Sequence, residues 1–110
     1  MSIMINVRCG MKRKSVLLFP SEQKILETMG YQIRMARQRR KISVNLCAER
    51  ANVSRQTVWA VEKGSPSVSI GAYEKVLHAI GFNQDLLKIC ADDPLGRELQ
   101  DMRDDKYRRN

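Results

Sequence analysis

Apolar residues recur at helical spacing along most of this chain, and the pattern breaks at small polar residues and glycines. Leu26, Met29, Ile33 and Ala36 are three or four residues apart, which puts them on one face of a helix. Ser21 is placed to cap that helix, with Glu22 near its positive end, and the cations Arg39-Arg40-Lys41 suit its C-terminus. Gly30 interrupts it at a cost of about 1 kcal/mol relative to alanine and marks a close contact or a bend. Cys47, Ala48 and Ala51 form the small-residue seam of a second helix capped by Ser43, and Val58 and Val61 the inward face of a third capped by Ser54. Between these two, Asn52 tolerates positive φ and turns the chain, and Val53 plugs the core. After the Ser65-Pro66-Ser67 turn, Ser69 caps a fourth helix carrying Tyr73, Val76, Leu77 and Ile80, which Gly81 ends. Asn83 is placed to cap a fifth carrying Leu86, Leu87, Ile89 and Cys90. The pattern predicts an all-α domain of about five helices.

The flanks read differently. Residues 1–20 form an N-terminal arm, residues 21–91 the helical domain and residues 92–110 a C-terminal tail. In the arm, Ser2-Ile3-Met4-Ile5-Asn6-Val7 has strand-like content, and Arg8, Lys12, Arg13 and Lys14 surround Gly10. A second apolar run, Ser15-Val16-Leu17-Leu18-Phe19, stops at Pro20 and is a candidate short strand, able to pair with the first run or with a second copy. In the tail, Asp92-Asp93-Pro94 breaks the helical pattern, and acids alternate with Arg103, Lys106, Arg108 and Arg109 with almost no apolar anchor, so the expectation is a flexible segment.

Composition narrows the function. A chain of 110 residues supports one small domain. Its formal charge of +8 is uneven: residues 1–63 hold 13 basic and 4 acidic side chains, and residues 64–110 hold 7 and 8. The excess positive charge therefore lies in the first half, where Arg34, Arg37, Arg39, Arg40 and Lys41 run without an intervening acid. Such a field attracts a polyanion, with binding that weakens steeply as salt rises. Cys9, Cys47 and Cys90 are odd in number and lack paired spacing, so neither a disulfide framework nor a metal site is indicated, and a reduced, cytoplasmic setting is expected. His78 is the only histidine, and with no glycine-rich phosphate loop the sequence offers no catalytic constellation and no cofactor site. No apolar run reaches the roughly 20 residues that span a bilayer, and no signal-peptide core opens the chain.

The candidate chemistry lies in the two short helices between Ser43 and Gly64. In a pair joined by so tight a turn, the first turn of the second helix is the part that enters a major groove of double-stranded DNA. That turn carries Arg55, Gln56 and Thr57. Arginine can bond a guanine edge with two donors, glutamine an adenine edge in bidentate fashion, and threonine suits a phosphate or a thymine methyl. The expected DNA-binding set is Ser54, Arg55, Gln56, Thr57, Trp59, Ala60 and Lys63, with Arg39, Arg40, Lys41 and Ser43 flanking the phosphates. For Trp59 two readings stay open: stacking on a sugar or thymine methyl, or folding down onto the domain.

Residues 34–82 resemble the Cro/repressor (XRE-type) helix-turn-helix family in Ile33-Arg34, Arg37, Ile42-Ser43, Ala48-Glu49, Val53-Ser54, Thr57-Val58, Glu62-Lys63-Gly64 and Leu77-His78-Ala79-Ile80-Gly81. The resemblance implies a repressor-type domain in which Glu62 is structural and residues 54–57 face the operator. Two positions depart from the family pattern: Val44 stands where a phosphate-contacting glutamine is usual, and Asn52 where glycine is usual. A narrower resemblance, in Gly64-Ser65-Pro66-Ser67-Val68-Ser69-Ile70-Gly71, Val76-Leu77 and Asp93-Pro94-Leu95-Gly96-Arg97-Glu98-Leu99-Gln100, is to the HipB-like antitoxins of HipA-type kinase toxin modules. It implies a homodimer on a palindromic operator that represses its own operon and binds a kinase toxin. The alternatives are a solitary phage-like transcriptional regulator and a protein-interaction module with weak DNA binding. The basic arm is then either a disordered end, a contact to the DNA backbone or a strand that pairs across a dimer.

Overall fold

Every regular element among residues 16–109, the part of the chain that the computed structural model describes, is helical. The strand-like segment 2–7 and the basic arm around Gly10 lie outside the described residues. Helix α1 spans Pro20–Arg39, and its start differs from expectation. Pro20 opens the helix instead of merely stopping the apolar run, because proline lacks only an N–H that the first turn would leave unpaired. Phe19 is the N-cap, and the Glu22 carboxylate accepts its N–H at 2.9 Å, so Ser21 falls inside the first turn. Val16 to Phe19 run without strand pairing.

Helices α2 (Val44–Ala51), α3 (Arg55–Glu62) and α4 (Ile70–Ala79) pack with α1 around Cys47, Val58, Val61 and Val76, which are fully buried. Each of the three begins as its sequence predicts. The hydroxyls of Ser43, Ser54 and Ser69 accept the N–H groups of Leu46, Thr57 and Ala72 at 3.0–3.1 Å. Gly81, at φ +85, ends α4, with the Phe82 N–H returning to the Leu77 carbonyl at 2.8 Å. The loop after α3 is pinned by the Tyr73 hydroxyl, which donates to the Ser65 carbonyl at 2.8 Å.

Two glycines set how closely α1 crosses α3. A Cβ on Gly30 would stand 2.5 Å from the Glu62 carbonyl oxygen, and one on Gly64 would meet the Leu26 backbone at the same distance. Gly64 also has φ +77, which glycine adopts without strain. The Gln23 side chain closes the crossing by donating to the Gly64 carbonyl at 2.9 Å.

The end of the chain corrects the sequence reading in two places. The expected fifth helix on Asn83 is a 3₁₀ segment, Asn83–Lys88, followed by Cys90 at φ +59. Only Phe82 and Leu86 pack on the core there, while Leu87, Ile89 and Cys90 are exposed. The Asn83 amide is bonded to Glu74 at 3.1 Å instead of capping the backbone. The segment expected as a flexible tail contains helix α5, Pro94–Arg109. Asp93 and Pro94 start it: the Asp93 carboxylate accepts the Gly96 N–H at 3.0 Å, and proline occupies the first helical position. Helix α5 takes no part in the main helix pairings of the fold.

Candidate nucleic-acid interface

The turn between α2 and α3 fixes the site. Asn52 adopts φ 57, ψ 45, the left-handed conformation predicted for it, and the Val53 N–H bonds back to the Ala48 carbonyl at 3.1 Å. The turn is therefore closed by backbone bonds, and α3 leaves it in a set direction. Val58 and Val61 then bury one face of α3 completely. With that face committed, the remaining positions are distributed by the helical period: Arg55, Gln56, Trp59 and Lys63 are exposed, and Thr57 and Ala60 are half-buried.

Not all of these side chains are equally available. Ser54 Oγ serves as the helix cap and lies 2.9 Å from the Thr57 hydroxyl, so these two residues hold the first turn before they contact anything else. One Arg55 nitrogen donates to the Asn45 amide oxygen at 3.4 Å, a long bond that leans the guanidinium toward α2 and leaves its other donors open. Gln56 is exposed. Asn45 was not anticipated as a site residue, since nothing in a ten-residue separation announces the contact until the α2–α3 crossing is known.

A groove beside α3 is lined by Arg34, Arg37, Val44, Trp59, Glu62 and Lys63. Trp59 lines it and still keeps 47% of its surface open, so it folds toward the domain without being buried. Within this groove the two kinds of basic residue separate. Arg37 is buried: its Nε donates to Glu62 Oε2 at 2.6 Å, a second nitrogen to Oε1 at 3.1 Å, and a third to the Ile42 carbonyl at 2.9 Å. That bonding, Glu62 first, holds the guanidinium above its usual range. Arg37 was counted in the basic run, but its charge is neutralised inside the fold. Arg34 and Lys63 remain exposed. Arg34, absent from the expected site set, lines the same groove as Lys63.

The flanking cluster also divides. Arg40 stacks over the Phe82 ring at 4.6 Å and donates to the Ala36 carbonyl at 3.1 Å, so it braces the end of α1 against the 3₁₀ segment. Arg39 and Lys41 are exposed, and Lys41 turns the chain at φ 55. Ser43 is exposed with its oxygen occupied by the α2 cap. Cys47, under the motif, is a core side chain whose thiol burial pushes up. Among the described residues no three His, Cys, Asp or Glu side chains gather as metal ligands, and no helix is long and apolar enough to cross a membrane.

Residues 28–88, from the middle of α1 through the 3₁₀ segment, match a family model described as a helix-turn-helix domain. No curated protein matches the chain.

Proposed function

The chain belongs to the helix-turn-helix domain family, a family of DNA-binding regulators, and from that premise we propose that it is a sequence-specific repressor that reads operator DNA with the first turn of α3. The observation that carries this reading is the contrast within one eight-residue helix. Val58 and Val61 anchor it completely, and Arg55 and Gln56 stand exposed at the end that a capped, backbone-closed turn orients. In this reading Arg55 bonds a guanine edge and Gln56 an adenine edge, while Arg34, Lys63, Arg39 and Lys41 contact phosphates. Two copies would place their recognition helices on half-sites roughly 34 Å apart on a palindromic operator.

The test is binding to the chain's own upstream DNA across a salt series, comparing wild type with the Arg55→Ala, Gln56→Ala double variant. Sequence-selective binding that the double variant loses by about a hundredfold supports the reading, since each bidentate base contact carries about 1–3 kcal/mol. Binding that ignores both sequence and substitution overturns it.

The antitoxin role belongs to the same proposal and rests on the resemblance of residues 64–71 and 93–100. It predicts that a HipA-type kinase is co-purified with the full chain. Failure to find one returns the assignment to a solitary regulator without touching the DNA reading.

A further inference from the structure

Helix α5 carries an apolar stripe with nothing to cover it. Leu95, Leu99 and Met102 recur at intervals of four and three residues and are 66%, 54% and 64% exposed. Intervals of four and three are the spacing of a coiled-coil seam, in which two helices interlock every three and a half residues. A helix this polar elsewhere, outside the main helix pairings of its own chain and with all three of these residues more than half exposed, has no fold-internal reason to place them in register.

We propose that α5 pairs in parallel with α5 of a second copy of this chain, forming a short two-stranded coiled coil whose seam is Leu95, Leu99 and Met102. The choice of a second copy rests on the proposed dimeric repressor, and the choice of surface and direction rests on the charges. With the seam so placed, Glu98 and Arg103 flank it on opposite sides, five residues apart, and both are exposed. In a parallel pair that separation brings Glu98 of each helix beside the partner's Arg103, and the symmetry makes two such ion pairs. Lys106 occupies the fourth seam position, so the pair is short and its affinity modest.

Sedimentation equilibrium of the full chain tests this, with Leu99→Asp, Glu98→Arg, Arg103→Glu and the Glu98→Arg, Arg103→Glu double variant. The expected result is a dimer for wild type, a monomer for Leu99→Asp, weakening of about tenfold for each single charge reversal, and recovery in the double reversal. Because α5 is peripheral, unchanged melting of the α1–α4 domain in each variant shows that it remains folded. A wild-type chain that stays monomeric overturns the proposal. A dimer that survives Leu99→Asp also overturns it and moves the contact to the apolar groove of Met29, Ile33, Leu77, Leu86 and Ile89. A Glu98→Arg variant that dimerises more tightly overturns the parallel direction. The DNA reading is separated by the same set: the Arg55→Ala, Gln56→Ala variant should dimerise like wild type, and monomeric Leu99→Asp should still prefer half-site DNA.

Discussion

Arg37 and Glu62 illustrate how one residue pair turns a basic segment into a scaffold. Their side chains are 9% and 6% exposed, and the guanidinium spends three nitrogens on Glu62 and the Ile42 carbonyl. Removing one partner strands the other charge in the interior, at about 3–5 kcal/mol. Arg37→Ala and Glu62→Ala should therefore each lower the chemical-denaturation midpoint sharply, and the double variant should lose much less than their sum. Additive losses would show that the two side chains act separately. The caps and the turn were readable because each is local: Ser43, Ser54 and Ser69 meet N–H groups three residues on, and Asn52 needs only its own φ. The pairing of Arg37, a member of the basic run, is not legible in the sequence because its partner lies 25 residues away, beyond the reach of periodicity.

At the scale of elements, the position of α3 depends on the α1–α3 crossing, and Gly30 is a point of closest approach. Alanine is the better helix former by about 1 kcal/mol, which favours Gly30→Ala in an isolated helix. Here the added methyl would sit 2.5 Å from a backbone oxygen of α3 and 2.7 Å from another, neither of which can swing aside like a side chain. The clash decides the sign, so Gly30→Ala should destabilise the domain by about 1–3 kcal/mol, measured by denaturant unfolding. A stabilised variant would mean that α1 and α3 slide apart freely. The sequence showed that Gly30 was costly, but not what repaid it, because a crossing angle leaves no trace in one helix. The 3₁₀ segment escaped for a related reason: Leu86, Leu87 and Ile89 fit a short α-helix or a 3₁₀ turn equally, and the bond from Asn83 to Glu74 that separates them is tertiary. Helix α5 was hidden by composition, since three apolar residues in a charged segment resemble a solvated tail until their register is set beside a capped start.

Over the whole molecule, fewer basic side chains are free for phosphate contact than the sequence shows. Arg37 is neutralised by Glu62 and Arg40 is laid over Phe82, whereas Arg34 and Lys63 line the groove beside α3 and stay exposed. Salt dependence distinguishes these roles, because each phosphate contact released adds about 0.9 to the slope of log affinity against log salt. The Arg34→Gln, Lys63→Gln double variant should flatten that slope by about two per bound domain while keeping the base preference, since phosphate contacts position the protein without reading sequence. Arg40→Gln should leave the slope unchanged and only loosen the end of α1. A slope that responds equally to both variants would mean that Arg40 leaves Phe82 to reach the backbone, and that the phosphate-binding surface extends past the groove to the end of α1.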